Sequence, residues 1–225
     1  MATNEHLTRQ MDIIPLSILG EKITVIGAGA IGGWTVLALA KMGFCNIEVF
    51  DFDKVDLVNL NSQFYRTKDV GRFKVAALQE LVEDFTGVKI GITADRWYGG
   101  TRPGIVIAAV DSMEVRKQIW AAHAGKSPLT RVIIDPRMGA EQALLYAMNP
   151  SNSKDREDYS KSLYTDSEAV QERCTAKATI YTANLLSGLV VKCVKDVLTR
   201  PDYLRVAQWD IAANDLFCFK NTPQL

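Results

Sequence analysis

The sequence predicts an α/β protein built on a doubly wound, mostly parallel sheet, with a polar crossover loop and a C-terminal helix plus β-hairpin. Three observations predict it. "KITVIGAG" is a β-branched apolar run that ends in glycines, and "AIGGWTVLALAKMGF" follows with apolar residues at helical spacing up to Gly43, a helix stop. "NIEVFD" then supplies a second short strand, which makes a β-α-β opening. Apolar runs of strand length go on alternating with helical runs as far as Met148.

The later elements follow in order. "KVAALQELVEDF" has helical periodicity, "VKIGITA" has strand character, and "GIVIAAVD" is an apolar run closed by a carboxylate. "SMEVRKQIWAAHA" predicts a helix, and "RVIID" and "QALLYAM" predict two further strands. From residue 150 to 172 charges and hydroxyls crowd out apolar residues, which predicts a mobile crossover loop. "CTAKATIYTANLLSGLVVKCVKDVL" predicts a long helix that ends near Pro201, and "YLRVAQWDIAANDLFCF" alternates as a closing hairpin. The whole, residues 1–225, is expected to be one domain with an N-terminal arm over residues 1–20.

Bulk properties exclude several classes of function. Lys plus Arg and Asp plus Glu both number 26, so no broad basic face for nucleic acid is expected. The long apolar stretches are interrupted by Gly, Lys or polar residues, and "MATNEHLTRQ" lacks the build of a signal peptide. No membrane association and a cytoplasmic location are expected. Cys45, Cys174, Cys193 and Cys218 form no C-x-x-C pair, which argues against a disulfide framework and a zinc site.

"GAGAIG" places Gly27, Gly29 and Gly32 in the G-x-G-x-x-G pattern between strand and helix, a Rossmann-like phosphate loop. Asp51 follows at the end of the second strand, where a carboxylate accepts hydrogen bonds from ribose hydroxyls. A dinucleotide enzyme would share these features, but it has no use for the polar stretch "DFDKVDLVNLNSQFYR" that comes next.

Together with "RQ" at Arg9 and Gln10, "VGRFK" and "AAVDSMEVR", that stretch resembles the ThiF/MoeB/HesA superfamily of adenylating enzymes over roughly residues 7 to 200. The resemblance implies ATP and Mg2+ as cofactors, and as partner the C-terminal tail of a small ubiquitin-like or sulfur-carrier protein or peptide. It implies ribose binding by Asp51, phosphate contacts from Asn59, Gln63 and Lys74, and Mg2+ handling by Asp111. Asp53 is a second candidate near the metal. Asn59 and Gln63 also suit a turn, and Asp111 also suits a helix N-cap.

Ser62 departs from the family, which has Arg at this place and so a fixed charge and a bidentate phosphate contact. Arg66 and Arg72 are the nearest substitutes. In homodimeric members the arginine matching Arg9 reaches the partner's ATP site, so the resemblance implies a homodimer. It also implies an acyl acceptor at Cys174, whose place at the start of a helical region would favour thiolate. Handover to a conjugating enzyme would follow. Cys45 and Cys193 fall in apolar helical stretches and are expected in the core, and Cys218 in a strand. Two other readings remain open: an inactive scaffold that retains the fold, which Ser62 favours, and an NAD(P)-dependent oxidoreductase.

Overall fold

The structure is a computed structural model that describes residues 4–164 and 179–220. Eight strands form a single sheet: β1 (Ile23–Ile26), β2 (Ile47–Phe50), β3 (Gly91–Thr93), β4 (Gly104–Ala108), β5 (Thr130–Gly139), β6 (Gln142–Met148), β7 (Leu204–Asp210) and β8 (Asp215–Lys220). Their order is β3-β2-β1-β4-β5-β6-β7-β8. The first five are parallel, and β6, β7 and β8 extend the sheet antiparallel. The expected Rossmann-like sheet and closing hairpin are therefore present.

Among the described residues, five α-helices cover the sheet: α1 (Ala30–Lys41), α2 (Lys74–Thr86), α3 (Met113–His123), α4 (Ser153–Lys161) and α5 (Ile180–Thr199). Both faces of the central strands β1 and β4 are buried, which is why they read as continuous apolar runs, whereas the edge strand β3 has no buried residue. Alternate residues sort into two cores. Ile23, Val25, Val49, Ile107 and Ile134 pack with residues of α1, α2 and α5. Ile26, Phe50, Val106 and Ile133 pack with Ile119 and Trp120 of α3 and Tyr159 of α4.

Strand order reverses between β1 and β4, which creates a crevice at their C-terminal ends. The loop after β1 carries Gly27 and Gly29, with Gly32 in the first turn of α1, and the loop after β4 carries Asp111. The N-terminal arm, a 3-10 turn over Asn4–Gln10, seats at the other end of α1. There Leu7 is buried, and Gln10 donates from Nε2 to the Met42 carbonyl at 2.8 Å.

Two expectations are corrected. Within the stretch read as a crossover loop, Ser153–Lys161 forms helix α4. Asn152 caps it by accepting from the Asp155 N–H at 3.0 Å, and Lys154–Asp158 and Glu157–Lys161 pair along its exposed side. Its apolar anchor is one residue, Tyr159, too little to register as periodicity. Residues 165–172 of that stretch lie outside the described residues. Cys45 is exposed rather than core, because α1 ends at Lys41 and Cys45 lies on the turn into β2. Cys193 is buried in α5 as expected, and Cys218 sits in β8.

Candidate functional site

The glycines divide into two roles. Gly27 has φ +98°, and a Cβ there would lie 2.2 Å from the Ala109 carbonyl oxygen; a Cβ on Gly32 would lie 2.0 Å from the Gly27 carbonyl oxygen. Those two glycines let the β1 loop, the β4 loop and α1 close against one another. Around Gly29 a Cβ would meet nothing within 4 Å. This open space stands at the N-terminus of α1, where unpaired N–H groups and the helix dipole favour an anion.

The polar stretch after β2 fixes that loop. The Asp51 carboxylate accepts from the Ala28 N–H at 2.6 Å and from the Asp53 N–H at 2.8 Å. Burial pushes its carboxyl pKa up, against the opposing pull of these two N–H groups and of Lys74. The buried Tyr65 hydroxyl donates to the Ala28 carbonyl at 2.6 Å. Both polar groups of Ala28, between the first two glycines, are therefore held by side chains of the polar stretch. The sequence signal for Tyr65 is an aromatic hydroxyl in an otherwise short-chained polar run, and it passes unnoticed without the fold.

Lys74 opens α2 with a buried side chain, and its ammonium lies 2.8 Å from the Asp53 carboxylate. Gln63 has a buried Oε1 with no hydrogen-bond partner among the described residues, an acceptor waiting for a donor. Asn59 closes a 3-10 turn over Leu57–Asn59, where its Oδ1 accepts from the Asp56 N–H at 2.9 Å. Ser62 is buried, and its carbonyl accepts from the Trp34 indole N–H at 3.2 Å.

Asp111 is exposed in the β4 loop, and its carboxylate makes no hydrogen bond or ion pair among the described residues. The N-cap of α3 is its neighbour Ser112, which accepts from the Val115 N–H at 3.4 Å, so capping does not occupy Asp111. Among the described residues no three His, Cys, Asp or Glu side chains converge on a metal position. A metal at Asp111 would have to share its ligands with bound phosphates, as Mg2+ commonly does.

Arg66 and Arg72 do not offer free charge in place of the missing arginine. Arg66 pairs with Asp69 at 2.8 Å, Glu80 at 2.7 Å and Asp84 at 3.6 Å, and Arg72 pairs with Asp69 at 2.8 Å and Glu80 at 2.7 Å. Arg72 and Arg66 hold the Glu80 carboxyl down at about 2. Arg9 is exposed on the arm and makes no side-chain pair among the described residues. Its arm sits at the C-terminal end of α1, one 12-residue helix away from Gly29, or about 18 Å at 1.5 Å per residue. Cys174 lies outside the described residues.

A third group was not anticipated. Buried Asp135 on β5 accepts from Arg116 at 2.8 Å, from Arg137 at 2.7 Å and from the Tyr159 hydroxyl at 2.8 Å. The group draws on three separate elements, α3, β5 and α4, so no local motif announces it.

A glycine loop and a free aspartate stand at the switch point of a Rossmann-like α/β fold, with buried Lys74 paired to Asp53 after β2. The model of the ThiF family matches residues 16–214, and the chain belongs to that family. It is 38% identical over 107 residues to the NEDD8-activating enzyme E1 catalytic subunit of Dictyostelium discoideum, covering 44% of this chain and 24% of that protein. Ubiquitin-like modifier-activating enzyme 5 of Drosophila pseudoobscura pseudoobscura is 28% identical over 124 residues, 47% of this chain and 31% of that protein. The matches thus span about a quarter to a third of these relatives. Among solved structures, E. coli MccB with ATP superposes with TM-score 0.75 at 13% identity, over 97% of this chain and 72% of that one. PaaA gives 0.72 at 16% identity, over 98% and 74%. At such identities these two show the fold.

Proposed function

We propose that this chain adenylates the C-terminal carboxylate of a small ubiquitin-like or sulfur-carrier protein, or of a peptide. The observation that carries the reading is the open cradle at Gly29, flanked by Asp51, by the Lys74–Asp53 pair and by the unpaired Asp111 carboxylate. In this reading the phosphates of ATP lie at the glycine loop and the ribose hydroxyls donate to Asp51. Gln63 Oε1, Asn59 and Lys74 line the polar wall. Asp111 holds Mg2+, which supplies charge neutralisation on the phosphates.

The reaction joins a carboxylate oxygen of the tail to the α-phosphorus and breaks its bond to the departing pyrophosphate. The chain's own contribution is placement and charge rather than covalent chemistry. Lys74 can trade its partner: when phosphate arrives, its ammonium can leave the half-exposed Asp53 for a more strongly charged acceptor. Names of similar proteins support the class. The relatives include activating enzymes for ubiquitin-like proteins, and MccB has been solved with ATP and with N-formylated MccA.

A second step is proposed at Cys174, whose thiolate would attack the acyl carbonyl and release AMP, leaving a thioester for transfer to a conjugating enzyme. Arg9 is proposed to serve the site of a second copy in a homodimer, since about 18 Å of helix separates its arm from its own glycine loop. Ser62, small and buried where the family has Arg, favours a second reading in which the chain is a non-catalytic scaffold.

Exchange of labelled pyrophosphate into ATP, in the presence of a small protein tail that co-purifies with the native chain, separates these readings. Carrier-dependent exchange is expected. Binding of the carrier with no exchange would establish the scaffold reading instead.

A further inference from the structure

The charges around the site can be followed group by group. Lys74 is balanced by Asp53. Arg66, Arg72 and Lys68 face Asp69, Glu80 and Asp84, three cations against three carboxylates. With Ser62 in place of an arginine, the neighbouring Arg66, Arg72 and Lys68 bring no uncompensated charge, and Lys54, the remaining cation of the stretch, lies over the Phe73 ring at 5.3 Å. The buried group on the other side of the loop differs. Arg116 and Arg137, 7% and 8% exposed, share one carboxylate, Asp135. Among the described residues no second carboxylate pairs with either guanidinium.

This group is wired to the Asp111 loop. Arg116 donates to the Val110 carbonyl and, at 3.4 Å, to the Asp111 carbonyl. The preceding residue, Ala109, is the one against which Gly27 closes. Arg137 reaches the opposite way, donating to the Ser162 carbonyl at 2.8 Å and to Ser162 Oγ at 3.2 Å at the end of α4, and its guanidinium lies 4.7 Å from the Tyr146 ring centre. Tyr159 of α4 closes the set through Asp135.

We propose that Asp135 and Arg137 are positioning residues of the nucleotide site: through Arg116 they fix the Asp111 loop, and their surplus buried positive charge takes over part of the role of the arginine that Ser62 replaces. This inference rests on the adenylation reading. Its physics is that of a charge held away from solvent, which salt screens little and which acts on phosphates without touching them. Two guanidiniums on one carboxylate also keep the oxygens of Asp135 occupied, which holds Arg116 in the rotamer that reaches the Val110 and Asp111 carbonyls.

The test measures binding of Mg·ATP to the full chain with a fluorescent ATP analogue, alongside thermal unfolding of the same samples. Arg137→Met removes the charge and should weaken binding about tenfold, the order of effect of one poorly screened charge. Arg137→Lys keeps the charge but cannot fork onto Ser162. It should unfold at a lower temperature than wild type yet bind within about twofold of it, given that a lysine preserves charge and loses planar geometry. Arg137→Gln is made alongside as a gentler neutral variant and should bind like Arg137→Met. Folded neutral variants that bind as tightly as wild type would overturn the inference, because a merely structural role moves the unfolding temperature alone. A Lys variant that binds as weakly as the neutral ones would also overturn it. Wild type that binds no Mg·ATP would overturn the adenylation reading, and this inference with it.

Discussion

The carbonyl of Ala28 shows how single side chains set this site. Tyr65 donates to it and Asp51 accepts from the N–H of the same residue, so the glycine loop is shaped without any ligand. Tyr65→Phe should cost roughly 1 to 2 kcal/mol of stability, read by denaturant unfolding, since a buried carbonyl loses its donor. Lys74→Ala and Asp111→Asn should each lower pyrophosphate exchange at least about 100-fold, the order seen when one preorganised charge or donor is lost, with unfolding temperatures near wild type for Asp111→Asn. The thiols divide by environment. Burial pushes Cys193 up to about 12, whereas Cys45 is exposed. An alkylating reagent at neutral pH should therefore modify Cys45 and spare Cys193 in the native chain, and the same mapping checks Cys174. Of these proposed site residues, Asp51 was singled out in the sequence by its place at the end of the second strand, and Lys74 and Asp111 by the family resemblance. Tyr65, Asp135 and Arg137 were not, because their roles arise from contacts between distant segments.

Elements carry the next level of the account. Strands β1 and β4 were readable because burial on both faces makes each one a nearly unbroken apolar run, and β7 and β8 because they alternate. Helix α4 was not, since its stability rests on an Asn152 cap, exposed ion pairs and a single buried tyrosine rather than an apolar stripe. The turn before α2 and α2 itself are joined by the Arg66, Arg72, Asp69 and Glu80 pairs. Glu80 is held at about 2 against its ordinary 4.5, so its folded pKa is depressed. The stabilisation this confers is present above pH 4.5 and is lost as pH falls toward 2. Glu80→Gln should consequently unfold at a lower temperature than wild type near neutral pH, with the difference closing across that window in a pH series of thermal melts. The arm is an element with a functional prediction: mixing Arg9→Ala chains with Asp111→Asn chains should restore part of the exchange activity, because one hybrid site regains both groups. Absence of complementation in a demonstrated mixed dimer would show that Arg9 acts in its own chain or not at all.

For the molecule as a whole, the strand order puts a glycine loop and an aspartate loop on opposite lips of one crevice, and the family match spans both. No helix among the described residues is long and apolar enough to cross a membrane. The choice between adenylate chemistry and dinucleotide chemistry rests on what fills the open space at Gly29. A triphosphate with Mg2+ would use Lys74 and Asp111, whereas a pyrophosphate bridge to nicotinamide would leave both idle. Calorimetric titration of the full chain with Mg·ATP and, separately, with NAD tests this most directly. Saturable binding of Mg·ATP that is abolished by Asp51→Ala and weakened by Lys74→Ala, with no heat from NAD, is the predicted result; binding of NAD with no binding of Mg·ATP would contradict it.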